Sequence, residues 1–238
     1  MGEKVVGILG GMGPEATIDF FTRIVKGTRV KKDQDHLRIL IDNNPKVPNR
    51  TLAIQGKGPS PLPQLVQSAK GLEKSGADFI AIPCVTAHHF HDPLQKRVKI
   101  PVLHIVEETV RHIQSRLKGI HQIGLLATSG TIQSGLFQKA FSRSKVELIL
   151  PNPELQKNKI MEAIFGKRGI KAIGPSEKSK RLILEASREL IRQGAQAILG
   201  GCTEIPLVLT DRDLPVPVID PVAILAKVAI EKAQGRSK

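Results

Sequence analysis

Short apolar runs bounded by glycine or proline alternate along this chain with longer stretches in which apolar residues recur at helical spacing. Val5-Val6-Gly7-Ile8-Leu9-Gly10 is the first such run and reads as a buried parallel strand, since a strand covered on both faces is apolar at consecutive positions. Gly10-Gly11-Met12-Gly13-Pro14 is the turn after it. Pro14 suits a first helical position, where no N–H partner is needed, and Glu15 complements the dipole there. The helix so opened runs to about Lys26, with Phe20, Phe21, Ile24 and Val25 as its inner face. Leu37 to Asp42 is a second strand. From Asn43 to Pro63 the chain is rich in Pro, Gly and Asn with little regular pattern, and a loop that long is usually functional or disordered. A helix from Pro63 to Ser75 leads to Gly76-Ala77-Asp78-Phe79-Ile80-Ala81-Ile82-Pro83-Cys84, a strand ending in a cysteine and turning into a helix. Lys99 to Leu103 is a short strand and Val106 to Leu117 a helix.

The pattern then begins again. Ile123-Gly124-Leu125-Leu126-Ala127 echoes Val6-Gly7-Ile8-Leu9-Gly10, and Thr128-Ser129-Gly130-Thr131 stands where the glycine turn stood. A helix from Ile132 to about Ser142, a strand from Val146 to Leu150, and helices near 155–165 and 177–193 follow. Gly194-Ala195-Gln196-Ala197-Ile198-Leu199-Gly200-Gly201-Cys202 then repeats the Gly-Ala start and the eight-residue offset to cysteine. Pro217-Val218-Ile219-Asp220 matches Pro101-Val102-Leu103, and a last helix starts after Pro221. Gly7 to Gly124 is 117 residues and Cys84 to Cys202 is 118. Two landmarks in one register imply an internal duplication. The expected fold is α/β: two pseudo-twofold-related domains, each a parallel sheet flanked by helices, with ligands bound beyond the carboxyl ends of the strands. Both cysteines sit at such ends.

Composition narrows the class. The 238 residues are 40% hydrophobic, ample for a core, and no apolar run approaches the roughly 20 residues a bilayer span needs. The start Met1-Gly2-Glu3-Lys4 enters a strand at once, which leaves no room for a signal peptide, so the expected location is the cytoplasm, with no membrane partner. The net charge of +14 raises nucleic acid as a partner. The basic residues are spread over several helices, as in Arg23, Lys26 and Arg29, and the chain has no Trp or Tyr on which to stack bases. A solvated basic surface with no nucleic-acid partner is the expectation.

Cys84 and Cys202 are the only cysteines. Taken singly, each reads as a small buried apolar residue. At a strand end before a helix, however, a thiolate is stabilised by free N–H groups and the helix dipole. Two such thiols on opposite sides of a cleft suit inversion of a stereocentre, one removing a proton from carbon while the other delivers one to the opposite face. The repeated context favours this reading. Cys84, His88, His89 and His91, with Cys202, offer metal-ligand chemistry, but their spacing fits no standard zinc signature and no metal is expected. Gly11 to Ala16 satisfies G-x-G-x-x-G/A after a strand, with Asp42 ending the next one. Asp42 lies 31 residues from Gly11 rather than about 20, and that reading leaves the duplicated cysteines unexplained. Arg50 and Lys171 could grip a carboxylate; chemistry alone favours a surface role for each.

Gly10-Gly11-Met12-Gly13-Pro14-Glu15-Ala16-Thr17, Asp33-Gln34-Asp35-His36, Ile41-Asp42-Asn43-Asn44-Pro45, Pro83-Cys84-x-Thr86-Ala87-His88 and Gly201-Cys202-Thr203-Glu204-Ile205 together resemble the aspartate/glutamate racemase superfamily, on its aspartate racemase side. The resemblance covers nearly the whole chain. It implies a cofactor-independent, two-domain enzyme, often a homodimer, that racemises an acidic amino acid, aspartate first. Cys84 and Cys202 would be the acid/base pair. Thr86, Thr128, Thr131 and Thr203 would hold the α-carboxylate and amino groups, Met12 would line the pocket, and Arg50 and Lys171 would bind the side-chain carboxylate. The resemblance also implies that the C-terminal segment returns to the first domain, giving 1–104 plus 213–238 and 105–212. One position departs from the family: the residue after the first cysteine, usually Asn, is Val85. Loss of one hydrogen bond to a charged group costs on the order of 1.5–3 kcal/mol. Racemisation of another amino acid, a related two-cysteine isomerisation, and a non-catalytic ligand-binding relative are the alternatives.

Overall fold

Residues 2–142 and 144–235 are described by a computed structural model, in which the first apolar run forms β1 (Val6–Gly10), buried at every position. α1 (Pro14–Gly27) follows, with Pro14 at its start and Ala16, Thr17, Phe20 and Ile24 as its buried stripe. Phe21 is instead exposed, because a step of one residue from Phe20 turns it about 100° off that stripe. β2 (Ile39–Asn43), α2 (Arg50–Ile54), α3 (Leu62–Lys74) and β3 (Phe79–Ala81) complete the first repeat. Both outer strands pair in parallel with β1, in the order β2-β1-β3, and Val102 adds a single parallel bridge to Ile80. The segment 43–63 is less irregular than its composition suggests. Asn49 accepts the Leu52 N–H at 3.1 Å and caps α2, so Arg50 opens a helix rather than sitting in a loop. After Cys84 the chain forms a 3₁₀ turn, Val85–Phe90, before α4 (His91–Gln95).

α5 (Ile105–Arg116) leads to the second repeat: β4 (Gln122–Leu126), α6 (Ser129–Ser134), α7 (Leu136–Phe141) and β5 (Glu147–Ile149). Thr128 caps α6, and Gly135, at φ +66°, separates it from α7, so the expected single helix is two. The stretch 153–165 is α8 (Pro153–Leu155), a π turn (Gln156–Met161) and α9 (Glu162–Phe165). α10 (Ile170–Ile173), α11 (Glu177–Arg192), β6 (Ala197–Gly200), β7 (Val218–Ile219) and α12 (Pro221–Ala233) follow. The second sheet is also parallel, in the order β5-β4-β6-β7.

The duplication is visible in the register. Gly7 stands opposite Ile80 and Ile80 opposite Val102; Gly124 stands opposite Ile198 and Ile198 opposite Val218. Both glycines are fixed by packing. A Cβ on Gly7 would lie 3.0 Å from Ala77 Cβ, and one on Gly124 would lie 2.9 Å from Leu190 Cβ on α11. The chain divides into two compact units, Met1–Thr109 with Val222–Lys238, and Val110–Pro221. The segment before α12 stays with the second unit, because β7 pairs with β6. α12 belongs to the first unit, where Lys4 donates to the Ala233 carbonyl at 2.9 Å. Arg23, Lys26 and Arg29 line, with Lys227 and Glu231, an open groove of about 930 Å³ between α1 and α12.

Candidate active site

In the first unit β1 and β3 are neighbours, so the turns that follow them emerge side by side at the carboxyl ends. Gly11, at φ +89°, could not carry a side chain: its Cβ would lie 2.3 Å from the backbone of Asn44. That packing, rather than a dinucleotide, accounts for the glycine. Met12 and Cys84 belong to one buried apolar cluster with Leu9, Val47 and Ala87. Cys84 N donates to Ile82 O at 2.8 Å, and Cys84 O accepts from Ala87 N at 3.2 Å. His88 lies beneath this turn, its Nδ1 2.9 Å from the Cys84 carbonyl, while Ile105 N donates to its Nε2 at 3.2 Å. Nε2 also lies 3.2 Å from the Leu103 carbonyl, so three backbone groups hold the ring. Burial, followed by the nearby His104 and then His91, lowers the His88 pKa to about 3. Val85 and Thr86, the next two residues, are buried. Arg50 donates from Nη1 to the carbonyls of Val47 and Pro48, at 3.0 and 2.9 Å, and from Nη2 to that of Met12 at 3.4 Å. Its Nε is buried and has no hydrogen-bond partner among the described residues.

The second unit repeats the turn with other side chains. β4 and β6 are neighbours, which places the Thr128 turn beside the Cys202 turn. Thr128 Oγ1 accepts from Thr131 N at 3.2 Å and lies 3.1 Å from Thr131 Oγ1, both residues being buried. Cys202 O accepts from Ile205 N at 3.0 Å. The Cys202 thiol donates to Glu204 Oε2 at 2.9 Å, and Lys171 pairs with Glu204 Oε1. Thr203 Oγ1 donates to the same Oε2 at 3.4 Å. Burial and the Glu204 carboxylate push the Cys202 thiol well above the ordinary thiol value, with partial relief from Lys171.

Each unit therefore gathers part of the expected set: Met12, Arg50, Cys84, Val85 and Thr86 in the first, Thr128, Thr131, Lys171, Cys202 and Thr203 in the second. Sequence reasoning passed over Glu204 as a site residue. The signal was a carboxylate inside the otherwise apolar run from Ala197 to Leu207, where burial demands a partner. It also passed over Gln156 in the π turn, which is buried and donates to Ala127 O at 2.9 Å and Ser129 Oγ at 3.2 Å. Among the described residues no three His, Cys, Asp or Glu side chains are grouped to hold a metal ion. Among the same residues no helix is long and apolar enough to cross a membrane.

Two parallel sheets of one register, each followed by a buried cysteine, can be compared with known proteins. A profile of the Asp/Glu/Hydantoin racemase family matches residues 9–229. The chain belongs to that family. The broad specificity amino-acid racemase RacX of Bacillus subtilis (strain 168) is 30% identical to it over 233 residues, 95% of this chain and 96% of the relative. An aspartate racemase of Picrophilus torridus has the same fold at a TM-score of 0.84 and 27% identity, over 97% of this chain and 94% of its own. An aspartate racemase homologue from Pyrococcus horikoshii OT3 matches at a TM-score of 0.71 and 26% identity, over 97% and 99% of the two chains. This racemase is of the paired-cysteine kind that works without pyridoxal phosphate.

Proposed function

We propose that this racemase acts on an acidic amino acid, aspartate first, with Cys84 and Cys202 as its two bases. The observation that carries the reading is the repeated turn, a buried cysteine after the same strand in each unit. A thiolate takes the Cα proton and the other cysteine, as a thiol, supplies a proton to the opposite face; the antipode uses them in exchanged roles. Hydroxyls of Thr86, Thr128, Thr131 and Thr203 hold the α-carboxylate and amino group. Hydrogen bonds to that carboxylate favour removal of the Cα proton by stabilising the charge that develops. Arg50 and Lys171 receive the side-chain carboxylate, and Arg50 Nε is a buried donor still to be matched. The similarity to the Picrophilus torridus aspartate racemase supports the same substrate. In this reading the enzyme is a homodimer of the cytoplasm, where two free thiols stay reduced.

A wider substrate range is the second reading. Val85 offers no polar group, Lys171 is already paired with Glu204, Arg50 is held on three carbonyls, and RacX is a broad specificity racemase. Deuterium incorporation at Cα across a panel of amino acids, with chiral chromatography of the products, separates the two. Aspartate is expected to exchange fastest, and Cys84→Ala or Cys202→Ala to lower racemisation by about 10²–10⁴-fold. Faster exchange of a neutral amino acid selects the wider range. Unchanged racemisation in both cysteine variants removes the two-base mechanism.

A further inference from the structure

The two-base scheme gives Glu204 no task, yet its placement is costly. The residue is 2% exposed, and a buried carboxylate persists only when paired and hydrogen-bonded. Lys171 supplies the countercharge at one oxygen, and the Cys202 thiol donates to the other at 2.9 Å. The charged groups facing the sulfur within this unit are thus Glu204, from its own turn, and Lys171, from α10. Cys84 differs: the imidazole beside its turn bonds the Cys84 carbonyl, not the sulfur.

We propose that Glu204 is the positioning residue of Cys202, taking the thiol proton so that the sulfur can act as base. The proton moves from Sγ to Oε2, so the S–H bond breaks as an O–H bond forms, and thiol plus carboxylate become thiolate plus carboxylic acid. Net charge is unchanged and Lys171 balances either state. Solvent need not take the proton, although burial and the carboxylate both oppose a bare Cys202 thiolate. At rest Cys202 is the thiol, so it serves first as the acid and Cys84 as the base. The enantiomer whose Cα–H faces Cys202 uses the proton shift to Glu204.

This inference rests on the two-base reading, and single-cysteine chains test the two apart. In deuterium oxide, Cys84→Ala leaves Cys202 as the exchanging base and Cys202→Ala leaves Cys84, each acting on one enantiomer. Glu204→Gln is expected to slow Cα exchange in the Cys84→Ala chain by about 10–100-fold. In the Cys202→Ala chain it should change exchange by less than about threefold, since a general base acts only through its own nucleophile. Exchange in the Cys84→Ala chain should also become more steeply dependent on pH, because the thiol must then ionise to solvent, and Glu204→Asp should restore part of the rate. Should Glu204→Gln unfold the protein, Glu204→Asp keeps the countercharge to Lys171 and carries the same contrast, slowing exchange in the Cys84→Ala chain more than in the Cys202→Ala chain. Equal losses in both single-cysteine chains would reduce Glu204 to a structural residue, and no loss in the Cys84→Ala chain would remove it from the reaction. No exchange in the parent chain would instead overturn the two-base reading itself.

Discussion

Cys84 and Cys202 each follow a buried parallel strand, and each has its carbonyl taken by the N–H three residues on, at 3.2 Å from Ala87 and 3.0 Å from Ile205. Aligned on the cysteines, Val85 corresponds to Thr203, Thr86 to Glu204 and His88 to Pro206. None of these pairs matches. The first turn is anchored from below, by His88 on the cysteine carbonyl; the second is tuned at the sulfur, by Glu204. Backbone repetition follows from sheet register and from glycines that leave no room for a Cβ. Side chains after the cysteine face no such constraint, so one turn specialises in position and the other in protonation.

Removing the anchor gives the largest expected effect on stability. His88→Ala deletes the contacts with Cys84 O, Leu103 O and Ile105 N and leaves a gap, which should cost about 2–4 kcal/mol near pH 7.5. Acid should erode the parent protein through the same residue. Its pKa falls from an ordinary 6.5 to about 3 on folding, so between those values the unfolded chain binds more protons. The stabilisation is complete above about pH 6.5 and is lost as pH falls toward 3, at roughly 1.4 kcal/mol per pH unit. His104, lowered by its own burial and by His91, acts in the same sense. Urea unfolding from pH 8 to pH 4 should show this slope in the parent and a shallower one in His88→Ala. Equal slopes would mean that His88 is not held neutral.

Val85→Asn makes the first turn polar beside its cysteine, as Thr203 makes the second. A new hydrogen bond to a charged substrate group is worth about 1.5 kcal/mol at the lower end, so KM for aspartate should fall about tenfold. The amide enters a position only 1% exposed, and the free enzyme should lose about 1 kcal/mol or more of stability. Steady-state rates for aspartate and for a neutral amino acid check this. A KM that falls for the neutral substrate alone would favour the wider range.

How far these turns were legible in sequence depended on distance along the chain. Apolar runs and their glycines are local, so the strands around Gly7 and Gly124 and the register of the repeat could be read directly. The short helix at Arg50 was missed because one cap, Asn49, outweighs a run of Pro, Gly and Asn around it. Glu204 was missed as a site residue for another reason. Its meaning depends on Lys171, 33 residues away, and on a sulfur whose orientation only the folded turn sets. The π turn at Gln156 is similarly invisible, since its buried side chain reaches the Ala127 carbonyl, 29 residues back.

The smallest predicted effect concerns the other turn of each unit. In the first, Gly11 N donates at 2.9 Å to Thr17 Oγ1, a hydroxyl reaching back from within α1. In the second, Thr128 caps its own helix through Thr131 N. A lost Thr cap costs about 1 kcal/mol, or about 2–4 °C in Tm for a chain of this size. Thr128→Ala should show that loss and Thr128→Ser should not, by thermal unfolding. Racemase activity then divides the two roles of the hydroxyl. If Thr128→Ala raises KM well beyond what a frayed first turn explains while Thr128→Ser keeps it, the oxygen serves the substrate as well as the helix. If Tm and KM both stay at parent values, the α6 turn is held by its backbone alone, and Thr128 is no closer in function to the cysteine beside it than Gly11 is to Cys84.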